Sequence, residues 1–208
     1  GAFWVERLGG VDVSARALQA CKTTLSNLCR NEPCFPPTTL LSGSLESLTT
    51  CYEWGAWDAV TMVEVVEHLD PAPLAAVGAA ILGALRPRLL VVSTPNREYN
   101  AVLLGLMGVS ARLNERGLRD IDHRFEWTRS EFEAWARELA DQFAYKVDFH
   151  GVGRAPGDDV GEDVGSATQI AVFARELTEE EQASRRSSDT ALPVHPELSV
   201  TWDSSAEP

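Results

Sequence analysis

Apolar runs alternate with amphipathic stretches along most of the chain, and this alternation predicts strands that alternate with helices. Ser14 is a favourable N-cap for one amphipathic stretch and Thr128 for another, and Pro73 can begin a third helix. The predicted helices cover residues 15–30, 74–85 and 129–142. One predicted strand ends at Asp12, and the others cover residues 39–42, 57–63, 89–93, 144–149 and 168–173.

The order of these elements indicates an α/β fold with an open, mainly parallel sheet. Residues 89–93 are continuously apolar, which is typical of a buried parallel strand. The last two predicted strands, joined by the Gly-rich acidic link 151–165, predict a closing antiparallel hairpin. The sequence shows no Gly-rich loop at the distance before Asp12 that nucleotide-binding folds require. We therefore expect the chain to begin at the second strand of such a fold, with the first strand and its Gly-rich loop missing.

The composition changes after Arg175 and predicts a boundary there. Glu, Ser, Arg and Pro dominate the residues that follow, which is typical of a disordered tail. We expect one domain at residues 1–175, incomplete at its N-terminus, and an acidic disordered tail at residues 176–208. Within the domain, the glycines of residues 101–117 predict a loose helix or a lid.

The charge balance limits the classes of partner. The 208 residues include 31 acidic and 18 basic ones, a formal net charge of −13, which argues against a broad basic surface for duplex DNA. A short nucleic-acid end can still be held locally. No apolar run of about eighteen residues and no signal-like start occur, so we expect a soluble intracellular protein with no membrane partner. The four cysteines form no C-x-x-C pair, which favours reduced thiols.

Two carboxylates and an imidazole follow the predicted strand 57–63. If a helix begins near Glu64, then Glu64, Glu67 and His68 share one helical face at positions i, i+3 and i+4. Carboxylate oxygens suit Mg²⁺, and an imidazole favours Mn²⁺ or another transition ion. Acidic residues are also common in an ordinary first helical turn, because they complement the helix dipole. The spacing alone leaves both interpretations open.

Asp12 occupies a position that also allows two interpretations. An acidic residue at the carboxyl end of an α/β strand, just before a helix, is where nucleotide folds hold ribose hydroxyls. The same residue type is common in simple turns. Position alone favours neither.

Seven short motifs follow one another in the order found in a known family. They are Gly10-Val11-Asp12, Gly43-Ser44, Glu64-Val65-Val66-Glu67-His68, Val92-Ser93-Thr94-Pro95-Asn96, Asp122-His123-Arg124-Phe125-Glu126-Trp127-Thr128, Gly151-Val152-Gly153 and Thr168-Gln169-Ile170. Between residues 9 and 175 the chain therefore resembles the Hen family of small-RNA 3′-terminal 2′-O-methyltransferases, and in particular its animal-type members that methylate piRNA. These enzymes use S-adenosylmethionine.

The resemblance implies a Rossmann-like S-adenosylmethionine-dependent methyltransferase sheet, mainly parallel with a C-terminal antiparallel strand. It implies a divalent metal, Mg²⁺ or Mn²⁺, that grips the 2′- and 3′-hydroxyls of the last nucleotide and lowers the pKa of the attacking hydroxyl. His68 or His123 could take the proton if its ring nitrogens are not both committed to metal and hydrogen bonds. The implied metal ligands are Glu64, Glu67, His68 and His123, and the implied cofactor residues are Asp12 and Ser44.

The segment around His123 supplies further candidates for RNA contact. Arg119 and Arg124 could contact the terminal phosphate, or they could be ordinary solvated arginines. Phe125 and Trp127 could stack a base, although anchoring of the loop to the core is the favoured role.

Three functions remain open at this stage. The first is methylation of the 3′ end of a small single-stranded RNA, which protects that end; the resemblance implies a Piwi or Argonaute partner and a place in the cytoplasm, including ribonucleoprotein granules. The second is a catalytically incompetent fragment that binds metal, RNA ends or a partner protein. The third is a small-molecule methyltransferase, which has no evident need of the His123 segment.

Overall fold

The computed structural model describes residues 5–31, 36–44, 57–107, 113–154, 163–181, 183 and 202–203. The strands are β1 (Leu8–Asp12), β2 (Thr38–Ser42), β3 (Ala59–Val63), β4 (Leu89–Pro95), β5 (Lys146–Val152), β6 (Thr168–Ala174) and β7 (Trp202–Asp203). The helices are α1 (Ala15–Asn31), α2 (Pro71–Val77), α3 (Asn100–Met107) and α4 (Arg129–Phe143). The chain divides into two compact units, residues 1–51 with 178–208 and residues 52–177.

The first unit contains a three-stranded sheet in the order β1-β2-β7, with both strand pairings parallel. The Ser14 hydroxyl accepts the Ala17 N–H at 3.2 Å, so the predicted N-cap of α1 is confirmed. Two residues of the predicted acidic tail, Trp202–Asp203, form β7 against β2. Most of residues 182–208 lie outside the described part of the chain, so the disordered tail stays a prediction.

The second unit contains a four-stranded sheet in the order β3-β4-β6-β5. β3 and β4 run parallel, whereas β6 pairs antiparallel with both β4 and β5. The predicted closing hairpin is therefore confirmed. Across the described residues β1 has β2 as its strand partner and β3 has β4. The missing first strand and Gly-rich loop stay predictions.

Helix α4 closes one face of this second sheet. Thr128 and Glu131 form a capping box: the Thr128 hydroxyl accepts the Glu131 N–H, and the Glu131 carboxylate accepts the Thr128 N–H. These bonds satisfy donors that a helix start leaves unpaired. Phe132 and Phe173, from α4 and β6, are both almost completely buried. The prediction of a helix capped by Thr128 is confirmed.

The helix expected at residues 74–85 differs in both start and form. It begins at Pro71, because a proline at the first helical position lacks only an N–H that would have no partner there. From Gly78 to Leu85 the chain continues as a π-helix and ends at Arg86 in the left-handed conformation. The prediction that Pro73 begins this helix was therefore wrong.

Other predicted boundaries also shift or lie partly outside the described residues; the strand predicted at 144–149, for example, runs from Lys146 to Val152. The strand predicted at 57–63 begins only at Ala59, and the strand predicted at 89–93 extends to Pro95. The loose helix or lid predicted at 101–117 contains α3, but residues 108–112 lie outside the described part. Among the helices of the described residues, none is long and apolar enough to cross a membrane.

Two glycines of the second unit provide a matched test of the packing. A Cβ at Gly78 would lie 2.7 Å from side-chain carbons of Leu139 and Phe143, whereas a Cβ at Gly105 in α3 would have no atom of the described residues within 4 Å. We expect Gly78→Ala to lower the free energy of unfolding by about 1 kcal/mol, because overpacking outweighs the gain in helix propensity. Gly105→Ala should raise it by about 0.5–1 kcal/mol. Urea unfolding measures the free energy of unfolding of both variants. Equal changes of the same sign in Gly78→Ala and Gly105→Ala would contradict this packing.

Candidate metal centre

The strand β3 ends in a strained turn at Glu64. This residue adopts a φ of 54°, a left-handed conformation that costs a non-glycine residue about 1 kcal/mol or more. Its N–H donates to the Ser93 backbone oxygen at 3.1 Å, and its Oε1 accepts the Ser93 hydroxyl at 2.9 Å. The next helical turn is a three-residue 3₁₀ helix, Val66–His68. The expectation of a helix beginning near Glu64, with one face shared by three ligands, was therefore wrong.

Glu67 lies in that 3₁₀ turn and is completely buried. Its Oε2 accepts the Thr94 hydroxyl at 2.9 Å, while its Oε1 is buried without a hydrogen-bond partner in the described part of the chain. Burial raises the pKa of the Glu67 carboxyl above its ordinary value of 4.5, and the nearby Glu64 carboxylate raises this pKa further. A buried acidic oxygen without a partner is costly, so a cation or a proton at this carboxylate would stabilise the fold.

His68 and His123 complete a cluster with Glu67. One potential ligand atom from each of the three residues lies within 4.8 Å of those of the other two. The two imidazole rings stand edge to face with their centroids 4.9 Å apart. Nδ1 of His68 lies 3.3 Å from the Asp122 carbonyl oxygen, and Nδ1 of His123 lies 2.7 Å from Oε1 of Glu126. Both rings therefore keep Nε2 available for a metal ion.

This donor set fits a divalent cation. One carboxylate and two imidazoles within ligand distance suit Mn²⁺ or a similar transition ion better than Mg²⁺, which prefers oxygen donors. The unpartnered Oε1 of Glu67 is the atom that most needs such a charge. Glu64 is not within the cluster, since its carboxylate faces Ser93. It is nevertheless close enough for its charge to affect the pKa of Glu67.

Backbone contacts hold the His123 segment against the Glu67 turn. The Arg124 N–H donates to the Glu67 carbonyl oxygen at 2.7 Å. The Asp122 N–H donates to the Asp120 carboxylate at 2.9 Å, which shapes the loop just before His123. These bonds explain how two ligand segments more than fifty residues apart meet at the carboxyl ends of β3 and β4.

The two arginines proposed for phosphate contact occupy different surroundings. The Arg119 guanidinium donates to the Asn96 and Ala167 carbonyl oxygens and to the Asn100 side chain. Burial lowers its pKa, which the Glu126 charge opposes. Arg124 forms an ion pair with Asp70 at 2.9 Å, with both side chains about half exposed or more. Arg119 thus joins loops together, whereas Arg124 is exposed to solvent, and phosphate contact by either residue stays a prediction.

The two aromatic residues of the segment pack into one cluster. The ring centroids of Phe125 and Trp127 are 4.4 Å apart, and those of Trp127 and Trp135 are 5.0 Å apart. Trp135 belongs to α4. This packing supports the anchoring role for Trp127, and base stacking by Phe125 stays a prediction.

The implied cofactor residues lie in the first unit. Asp12 ends β1, and one of its carboxylate oxygens accepts the Ser14 N–H at 2.7 Å, as a turn aspartate does. Ser44 follows the end of β2 by two residues. Because β1 and β2 are parallel and in register from Leu8 to Asp12, both residues lie at the carboxyl edge of this strand pair.

Sequence reasoning quoted two further residues within its motifs but assigned them no role in the cluster that they support. Thr94 holds the buried Glu67 carboxylate, and Glu126 contacts His123. Thr94 follows the predicted strand 89–93, and Glu126 stands three residues after a candidate ligand. Both positions are visible in the sequence, but only the packed structure shows that these two polar side chains turn towards the cluster.

Comparison with known proteins gives consistent matches. The chain is 33% identical over 196 residues to a Small RNA 2′-O-methyltransferase of Xenopus tropicalis, covering 88% of this chain and 48% of the relative. It matches the crystal structure of the small RNA methyltransferase HEN1 with a TM-score of 0.69 and 35% identity, over 82% of this chain and 20% of that chain.

A second solved structure, the methyltransferase domain of bacterial CtHen1, matches with a TM-score of 0.59 and 33% identity. That match covers 82% of this chain and 78% of that one. No protein-family model matches the chain. The chain spans 48% of the length of the Xenopus relative, and 37% and 27% of the Small RNA 2′-O-methyltransferases of Gallus gallus and Mus musculus. The likeness confirms the expected α/β methyltransferase fold with a mixed sheet.

The buried charge of Glu67 generates a stability prediction. Because burial raises the pKa of this carboxyl, the folded metal-free protein binds the proton more tightly than the unfolded chain, and stability falls as pH rises above about 4.5. Glu67→Gln removes this loss, so in chelator at about pH 8 its melting temperature should exceed that of the parent. The difference in melting temperature between Glu67→Gln and the parent should become smaller towards about pH 5. Glu138→Gln, on the exposed side of α4, is the control, and a less stable Glu67→Gln at both pH values would contradict the assignment.

Proposed function

Because the chain belongs to the Hen1 family of methyltransferases, we propose that it methylates the 2′-hydroxyl of the 3′-terminal nucleotide of a small single-stranded RNA, with S-adenosylmethionine as the methyl donor. The observation that carries this proposal is the cluster of Glu67, His68 and His123 with the unpartnered Glu67 Oε1. The cluster lies at the carboxyl ends of β3 and β4, where ligands bind in open α/β sheets.

The cluster residues would hold Mg²⁺ or Mn²⁺, with Mn²⁺ favoured by the two imidazoles. A divalent ion held there lowers the pKa of a bound ribose hydroxyl and fixes its orientation. Glu64 would become a fourth ligand if its carboxylate turned away from the Ser93 hydroxyl. The strained backbone at Glu64 already places this side chain beside Glu67.

The hydrogen bonds argue against a histidine as the general base. His68 and His123 each have Nδ1 facing an acceptor. If Nε2 of each ring binds the metal, then both nitrogens are committed and neither ring can take a proton. We therefore assign both histidines to metal binding, so that their contribution is to position the acceptor hydroxyl.

The cofactor and RNA contacts extend the same proposal. Asp12 and Ser44, at the carboxyl edge of β1 and β2, would hold the ribose and the adenosine of S-adenosylmethionine. Arg124 would exchange its exposed partner Asp70 for an RNA phosphate, because a surface ion pair contributes only about 0–1 kcal/mol. We also propose protection of the RNA end, including piRNA, a Piwi or Argonaute partner, and a place in the cytoplasm or in its ribonucleoprotein granules.

Methyl transfer from labelled S-adenosylmethionine tests the proposal directly. We expect transfer to a small single-stranded RNA that requires added Mn²⁺ or Mg²⁺ and stops with chelator or with a terminal 2′-deoxy nucleotide. His123→Ala should lower the rate by more than about 100-fold, since loss of a direct ligand costs more than loss of an outer contact. His150→Ala, on exposed β5, is the matched control and should retain the parent rate.

Three results would redirect the assignment. Methyl transfer that persists with chelator or in His123→Ala would contradict the proposed metal dependence. Metal binding by a folded chain that neither binds S-adenosylmethionine nor transfers methyl would favour the alternative of a binding fragment. Transfer to RNA with a terminal 2′-deoxy nucleotide would show that another acceptor is used.

The role of Arg124 has its own test. Arg124→Ala should raise the KM for RNA by about 3–10-fold, because it removes one exposed contact to phosphate of about 1 kcal/mol, and it should leave the Mn²⁺ affinity unchanged. Arg137→Ala removes another exposed arginine paired with a carboxylate, Glu133, and is the control. An unchanged KM in Arg124→Ala would remove this residue from the RNA contacts.

A further inference from the structure

Glu126 is a buried carboxylate that touches the cluster without belonging to it. Its side chain is completely buried, and its Oε1 lies 2.7 Å from Nδ1 of His123. The same oxygen accepts the Arg119 N–H at 2.6 Å, and Oε2 accepts the Asn100 side-chain N–H at 2.7 Å. With N–H donors at both oxygens, the Glu126 carboxylate acts as an acceptor towards every neighbour.

These contacts define the hydrogen position on His123. An acceptor at Nδ1 requires the hydrogen of the neutral ring to be on that nitrogen, so that Nε2 keeps its lone pair. We propose that Glu126 is the positioning residue of the metal centre: it fixes the tautomer and orientation of His123 so that Nε2 binds the cation. This inference rests on the proposed function and adds a residue to it.

The surroundings prevent Glu126 from being a metal ligand itself. Asn100 and the backbone of Arg119 hold its two oxygens, and the Arg119 guanidinium is in turn fixed by the Asn96 and Ala167 carbonyl oxygens. Because both Glu126 oxygens accept hydrogen bonds, the carboxylate cannot rotate to bind the cation. Its effect therefore passes through the imidazole of His123.

The second imidazole lacks an equivalent support. Nδ1 of His68 is 3.3 Å from a backbone carbonyl oxygen, and the residue is exposed, whereas His123 is 7% exposed. A charged acceptor at 2.7 Å holds a ring more firmly than a neutral acceptor at 3.3 Å. The structure thus makes His123 the ligand whose geometry is set in advance.

The test measures Mn²⁺ affinity without any turnover. Glu126→Gln keeps the size of the side chain and removes the charge, and should weaken Mn²⁺ binding by about 10–100-fold, as loss of a carboxylate behind a metal-bound histidine does. Electron paramagnetic resonance of free Mn²⁺ gives the dissociation constants. Glu131→Gln, the same change at the exposed capping box, should stay within about two-fold of the parent. Melting in chelator verifies that each variant is folded.

Ring ¹⁵N resonances of the four histidines give a second readout on the metal-free parent protein. His123 should show the Nδ1–H tautomer. An Nε2–H tautomer would overturn the proposal, and so would a folded Glu126→Gln that binds Mn²⁺ like the parent while His123→Ala loses binding. If His123→Ala itself binds Mn²⁺ like the parent, the metal centre fails, and the inference fails with it for that separate reason.

Discussion

The central constraint is a completely buried carboxylate, Glu67, whose Oε1 has no hydrogen-bond partner among the residues that the structure describes. Burial without full pairing raises its pKa, so the metal-free fold carries an electrostatic cost at this point. The Thr94 hydroxyl offsets part of that cost. A divalent cation would offset the rest, since it supplies the missing partner for Oε1 and draws in the two imidazoles. The buried Glu67 carboxylate thus lowers the stability of the metal-free protein, and the same carboxylate would stabilise the protein once a cation is bound.

The end of β3 makes this arrangement possible. The parallel pairing of β3 with β4 brings Val63 opposite Ser93, and Ser93 then holds both the N–H and the carboxylate of Glu64. The left-handed backbone at Glu64 redirects the chain into the 3₁₀ turn that carries Glu67 and His68. Strain of this kind persists only where the surrounding structure fixes it, and such places are often functional.

Regular elements were predictable from sequence because their signals are local. The Thr128 capping box, the Ser14 cap and the closing hairpin each depend on a few neighbouring residues. The start of α2 was missed because two prolines, Pro71 and Pro73, can each begin a helix, and the later one was chosen.

The site was only partly predictable. Resemblance identified His123, while spacing suggested a helical face that the positive φ of Glu64 rules out. Glu126 was missed because its role depends on packing: nothing in the local sequence states that this carboxylate turns inward to His123 rather than outward to water. Sequence patterns locate residues that can do chemistry, but hydrogen-bond partners brought together from distant segments decide which of them does it.

The most direct test of the account is the count of imidazole nitrogens bound to Mn²⁺. Electron spin echo modulation of the Mn²⁺-loaded protein detects each coordinated ¹⁴N. The account predicts two imidazole nitrogens, one from His68 and one from His123, with one lost in either alanine variant. A spectrum without coordinated nitrogen, from protein that has bound the ion, would contradict the assignment of this cluster as the metal centre.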